Sequence, residues 1–117
     1  MKSTILLVSL LISSIGFSQE KEHFVTEFTQ ETQATWIDIR TPEEFSEGTI
    51  GNAVNIDFYS DDFKKEMNTY DKSQEIIIFC KGGGRSAEAF ELLKEEGFTN
   101  IKEFEGGYEA YISKEEK

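Results

Sequence analysis

One cysteine, one histidine and one proline stand in a chain of 117 residues, and positive charge is scarce, with 12 lysines and arginines against 23 aspartates and glutamates. Each shortage excludes something. The single cysteine, Cys80, has no intramolecular partner, so a disulfide framework is ruled out. One cysteine, one histidine (His23) and no HExxH or clustered Cys/His spacing indicate no metal centre, and no cofactor is expected. A formal net charge of -11, without a basic patch carrying interleaved aromatics, repels phosphate backbones, so nucleic acid is not an expected partner. No segment reaches the roughly 20 apolar residues that span a bilayer, so no stable membrane insertion is expected.

The first 18 residues, MKSTILLVSLLISSIGFS, have a short basic start at Lys2, an apolar stretch from Ile5 to Ile15, and Gly16 and Ser18 as small residues before a cut at Gln19. That is the pattern of a cleaved secretory signal. The apolar stretch is interrupted by Ser9, Ser13, Ser14 and Gly16, which argues against a membrane anchor. The expectation is an exported protein, periplasmic in a Gram-negative bacterium and otherwise extracellular, with a single domain over residues 19–117. Removing Lys2 makes that domain still more acidic, so any small anionic substrate needs a strongly local positive feature to hold it. His23, close to the processed end, is expected to serve neither as a base nor, alone, as a metal site.

Along the chain, residues 20–33 are polar with a short helix expected where Phe24 and Phe28 share a face. ATWIDI, from Ala34, reads as a strand, and Thr41, Pro42 and Glu44 form a cap, first turn and box for a short helix. AVNIDF reads as another strand, with Val54 and Ile56 on one side. DDFKKEMNTYD places Phe63, Met67 and Tyr70 on one stripe of a helix, with Asp61 or Asp62 as its cap. Ile76 to Phe79 is apolar throughout, as a strand covered on both faces would be. A helix follows from near Ser86 to Glu96 and stops at Gly97. NIKEFE is a further strand, GG a turn, and YEAYISKEEK a last helix. Alternation of this kind predicts a three-layer α/β domain with a mainly parallel sheet flanked by helices.

Ligands of open α/β sheets are met at the carboxyl ends of strands, which is where Cys80 falls. Cys80, Lys81, Gly82, Gly83, Gly84 and Arg85 separate that strand from the helix beginning near Ser86. Consecutive glycines let successive amides turn inward, and the helix adds its unsatisfied N-terminal amides, so an oxyanion would be held here. The same field, with Lys81 and Arg85 nearby, favours the thiolate of Cys80 over the thiol. The plainer alternatives are a buried core cysteine and a flexible glycine turn with Arg85 in solvent. A nucleotide loop fits less well, because neither the GxxxxGK[ST] nor the GxGxxG spacing is present.

Three stretches together, WIDIRTPEEFSEGTIGNAVNI, IIIFCKGGGRSAEAFELLKEEGF and IKEFEGGYEAY, resemble the single-domain rhodanese family of thiosulfate sulfurtransferase-like proteins over about residues 24 to 113. The resemblance implies a rhodanese-like three-layer fold with a five-stranded sheet, and a nucleophilic cysteine, here Cys80, opening a six-residue loop. Such enzymes attack the outer sulfur of a donor such as thiosulfate or a polysulfide, release sulfite in the thiosulfate case, and keep a persulfide. A thiol acceptor, such as a redox protein, or cyanide in assays then takes the sulfur, in two half-reactions. Loop amides from Lys81 to Ser86 would serve the persulfide or leaving anion, with Lys81 attracting the dianion and Arg85 pinning the loop or assisting. Relatives that hydrolyse phosphate or reduce arsenate carry one more loop residue, so the spacing of Cys80 and Arg85 favours sulfur transfer.

Asp38, Arg40, Glu44 and Glu47 also match the family's first motif. A structural role is the expectation, tying strand end to helix start through charge-assisted bonds, with anion capture by Arg40 as the alternative. The chain departs from the family at GTIGNA, where Thr49 replaces a common histidine and Gly51-Asn52 a Pro-Gly pair. That change bears on local packing more than on a thiolate attack. Besides the sulfurtransferase, a non-enzymatic rhodanese-like module engaging an envelope protein, and a phosphatase-like enzyme, remain as other readings.

Overall fold

The computed structural model describes residues 22–116. Five strands, β1 (Phe24–Val25), β2 (Thr35–Asp38), β3 (Val54–Asn55), β4 (Ile76–Phe79) and β5 (Ile101–Phe104), form one sheet in the order β1-β5-β4-β2-β3. Every pairing is parallel. Four helices accompany them: α1 (Pro42–Ser46), α2 (Phe63–Met67), α3 (Gly84–Glu95) and α4 (Gly107–Glu115). This is the α/β/α arrangement expected from the alternation of elements.

Side-chain alternation along the strands builds two cores. Ile37, Ile39, Ile76, Ile78, Cys80 and Ile101 face one way and meet Phe63 and Met67 of α2 and Ala89, Phe90 and Leu93 of α3. Trp36, Ile77, Phe79 and Phe104 face the other way, against Ile50, Ala53, Phe28 and the α4 side chains Tyr108, Ala110 and Tyr111. Because both faces are covered, all four residues of β4 are buried, which explains its uninterrupted apolar run. The two layers fix β4 in the middle of the molecule, with Cys80 just beyond its carboxyl end.

The expected elements shift in five places, one of them α2, which ends at Met67 so that Tyr70, expected on its stripe, packs against the core from beyond the helix. The helix anticipated around Phe24 and Phe28 is instead the two-residue strand β1, held by its ladder to Glu103 and Phe104 of β5. Phe28 turns to the opposite core and meets Trp36 edge-on, with ring centroids 5.1 Å apart. The AVNIDF strand contracts to Val54–Asn55 at the sheet edge, where Val54 is 43% exposed while Ile56 is buried. The cap of α2 is Asp62 by position only, for its side chain makes no cap hydrogen bond. Finally, α3 begins at Gly84, so Gly84 and Arg85 belong to its first turn. The capping box of α1 is present in both halves, Thr41 to the Glu44 amide and Glu44 to the Thr41 amide. The proposed signal, residues 1–18, lies outside the described residues.

Candidate active site

Cys80 leaves β4 on the α3 side of the sheet, with the parity of Ile76 and Ile78, and is buried to 1% exposure. Its Sγ accepts the Gly83 amide at 3.1 Å and lies 3.9 Å from the Ser86 hydroxyl. The first contact is possible because Gly83 adopts φ +120, a conformation side chains disfavour. The first-turn amides of a helix have no carbonyl one turn back, so the start of α3 presents unspent donors beside the sulfur. Gly83 is thus both the cap of α3 and a ligand of the thiol.

A second helix start supports the loop from behind. The Tyr108 amide donates to the Cys80 carbonyl at 2.8 Å and the Glu109 amide to the Lys81 carbonyl at 3.0 Å. The first turn of α4 therefore spends its own unpaired amides on the loop, drawing those carbonyls away from the mouth.

Arg85 reaches back to α1. Its Nη1 and Nη2 donate to Glu44 Oε1 at 2.8 Å and Oε2 at 3.1 Å, a forked bridge that ties the loop to the helix after β2. That guanidinium pulls the Glu44 carboxyl down from 4.5 to about 2, and Glu44 in turn raises Arg85. Lys81 is exposed and stands 3.9 Å from the equally exposed Glu109, a pairing of little energetic weight. Tyr59, Cys80, Lys81, Gly82, Gly84, Arg85, Glu88 and Glu109 line a shallow, open cavity of about 490 Å³ above the sulfur.

Asp38 and Arg40 lie deeper. Arg40 donates to Asp38 through Nε at 2.9 Å and Nη2 at 2.7 Å, spends Nη2 also on the Gly48 carbonyl at 2.6 Å, and stacks over the Tyr108 ring. Thr49, in place of the family's common histidine, donates to Asp38 at 2.7 Å. Asp38 and Arg40 are buried and away from the cavity wall, while Glu47 only closes α1.

The structure thus brings together Cys80, Lys81, Gly82, Gly83, Gly84, Arg85, Ser86 and Glu44, and sets Asp38 and Arg40 behind them. Sequence reasoning missed Tyr59, Glu88 and Glu109 on the cavity wall, and two residues joined to the site from below. Glu103 of β5 is 3% exposed and accepts the Ser86 hydroxyl at 3.0 Å. His23, expected to serve neither as a base nor alone as a metal site, lies 2.7 Å from the other oxygen of Glu103. The signal was a charged residue at an inward position of IKEF, two residues after buried Ile101. No group of side chains fit to hold a metal ion occurs among the described residues.

Residues 23–114 match the model of the rhodanese-like domain. "Thiosulfate sulfurtransferase 16, chloroplastic" of Arabidopsis thaliana is 36% identical over 86 residues, covering 65% of this chain and 72% of that protein. "Putative sulfurtransferase YtwF" of Bacillus subtilis is 39% identical over 75 residues, 64% of this chain and 70% of that one. A rhodanese-like domain protein from Staphylococcus aureus superimposes with a TM-score of 0.62 at 33% identity, covering 70% of this chain and 78% of that chain. The chain also matches tRNA uridine(34) hydroxylases, but spans only 26–27% of their length.

Proposed function

The chain belongs to the rhodanese-like domain family, a sulfurtransferase-type fold, and on that premise we propose that it moves sulfane sulfur through a persulfide on Cys80. The observation that carries this reading is the Gly83 amide at 3.1 Å from the buried Sγ, at the start of a twelve-residue helix. Attack by the thiolate on the outer sulfur of a donor forms the Cys80 S–S bond, breaks the donor's S–S bond and sends the electron pair off with the leaving anion. An acceptor thiolate or cyanide then takes the terminal sulfur, returning the pair to Cys80. Amides at the start of α3 would stabilise the charge on the persulfide and on the departing group.

The rim bears on the donor. Lys81 is offset by Glu109 and Arg85 by Glu44, and Glu88 adds a further negative charge. This balance favours a polysulfide or a protein persulfide over the thiosulfate dianion as the physiological donor, with a protein thiol as acceptor. Export through residues 1–18 belongs to the same proposal, and a chain recovered from the cell envelope should begin at Gln19.

Incubating the reduced protein with thiosulfate, 3-mercaptopyruvate or polysulfide should add the mass of one sulfur atom by mass spectrometry, and cyanide should remove it. An adduct persisting in Cys80→Ser would show the site to be misplaced. No adduct from any donor on the folded, reduced protein would instead leave a rhodanese-like binding module. Phosphate release abolished by Cys80→Ser would point to the phosphatase reading.

A further inference from the structure

Buried carboxylates among the described residues are Asp38 and Glu103, and they are satisfied differently. Asp38 faces a guanidinium. Glu103 has no arginine or lysine and is held by two groups that can each exchange a proton, the Ser86 hydroxyl at 3.0 Å and the His23 ring nitrogen at 2.7 Å. Ser86 in turn lies 3.9 Å from the Cys80 sulfur. The contacts run sideways under α3, from the end of β4, across β5, to the chain entering β1. Cys80 and Ser86 are each 1% exposed, whereas the His23 side chain is 23% exposed and opens on a separate surface groove. A nearly buried thiol at the floor of its cavity is therefore joined, through two side chains, to an imidazole that meets water on another surface.

We propose that Ser86 and Glu103 form a relay that receives the proton of the Cys80 thiol, and that His23, bonded to the other oxygen of Glu103, couples that carboxyl to the far edge of the sheet. The idea rests on the sulfur-transfer reading only in taking Cys80 as the reacting group. Ser86 has one hydroxyl hydrogen and two acceptors in reach, Glu103 Oε1 and the Gly83 carbonyl at 3.2 Å. While Glu103 is a carboxylate it claims that hydrogen, because a charged acceptor makes the stronger bond. The thiol S–H then points at the Ser86 oxygen. Moving both hydrogens one step breaks the S–H bond and the original Ser86 O–H bond, and forms a new Ser86 O–H and a Glu103 O–H. The electron pair stays on sulfur, and thiol plus carboxylate become thiolate plus carboxylic acid with no net charge added to the interior. His23 Nε2, 2.7 Å from the other carboxylate oxygen, already carries a hydrogen and donates it, so the transferred proton stays on Glu103. A proton taken from water at the other ring nitrogen of His23 is the one that feels the Glu103 charge.

The arrangement has a cost-saving logic in a buried site. Deprotonating Cys80 to solvent would create one new charge in the interior, whereas the relay only relocates one already present at Glu103. Glu103 and His23 are positioning residues in this scheme, since neither touches the sulfur. The other charged groups around the two ends are Glu22, Glu91, Lys94 and Lys102 beside His23, and Lys81, Arg85, Glu88 and Glu109 beside Cys80.

His23 is the only histidine, so its ring signals in an NMR titration are unmistakable. Coupling between two protonation sites is reciprocal. Replacing Cys80 by alanine should therefore move the His23 titration midpoint by about half a pH unit or more. The rate of Cys80 alkylation by iodoacetamide, followed against pH, should bend where His23 titrates. Ser86→Ala and Glu103→Gln should each erase that bend, and in either background Cys80→Ala should leave His23 unmoved. Ser86→Ala deletes only a hydroxyl and decides the matter if Glu103→Gln fails to fold. Identical His23 midpoints in the parent protein and Cys80→Ala would overturn the relay. None of these measurements uses a sulfur donor, so the relay and the sulfur-transfer reading stand or fall separately.

Discussion

The amide of Tyr108 donates to the carbonyl of Cys80 at 2.8 Å, which places the first turn of α4 directly behind the Cys80 backbone. Gly107 makes that approach possible. It has φ +65, and a Cβ there would stand 2.6 Å from both the Cys80 and Lys81 carbonyl oxygens, which are backbone atoms and cannot swing aside. Gly107→Ala should cost about 3 kcal/mol through the unfavourable conformation and the clash together. Urea unfolding should show that loss, and the folded fraction should form the Cys80 persulfide more slowly because the loop is displaced. Unchanged stability would mean that α4 moves away easily and does not brace the loop.

The three glycines after Lys81 are not equivalent. Only Gly83 has a positive φ, and a Cβ there would meet nothing within 4 Å, so Gly83→Ala pays for backbone conformation alone, about 1–3 kcal/mol. Restoring an ordinary φ would also turn its amide away from Sγ, so persulfide formation should fall with stability. Gly84 has an ordinary φ and opens α3, so Gly84→Ala should raise thermal stability by up to about 1 kcal/mol. Equal losses at both positions in a thermal melt would refute this division of labour.

What could be read from the sequence, and what could not, divides by the range of the interactions. The β4 strand, the cysteine loop and α3 are set by neighbouring residues: an apolar run, glycines, then a helical stripe. The capping box of α1 is equally local. By contrast, β1 is two residues long and exists only through its ladder to β5, so Phe24 and Phe28 at a spacing of four suggested a helix that does not form. Gly107 was legible as a turn but not as a close approach, because its neighbour Cys80 is far away in sequence. Glu103 illustrates the intermediate case. Its inward position in IKEF was visible, while its partners Ser86 and His23 come from elements that only the closed sheet brings near.

The bridge between Arg85 and Glu44 gives an acid-dependent stability. The folded carboxyl titrates at about 2, below its ordinary 4.5, so the ionised form is favoured by folding. Its contribution is fully present above about pH 4.5 and is lost as the pH falls toward about 2. Both side chains keep some solvent contact, at 17% and 29% exposure, which limits the effect to the order of 1 kcal/mol. Unfolding free energies of the parent protein and Glu44→Gln, compared at neutral pH and at pH 3, should converge in acid. A gap that stays constant across that range would rule the bridge out as its source.

Arg40 and Asp38 test whether charge near the strand ends acts on substrate or on structure. Asp38 is fully buried, and Arg40 is its forked partner through Nε and Nη2, with Gly48 and the Tyr108 ring occupying the rest of the guanidinium. Arg40→Ala leaves Asp38 with Thr49 as its remaining side-chain donor, and removing one half of a buried pair costs about 3–5 kcal/mol. Arg40→Met combined with Asp38→Leu should lose less than Arg40→Ala alone, since no uncompensated charge remains. The guanidinium does not line the cavity above Cys80, so sulfur transfer per folded molecule should be unchanged in Arg40→Ala once stability is allowed for. A fall in that specific rate, with the protein still folded at the assay temperature, would reassign Arg40 from bracing β2 to capturing the anionic donor.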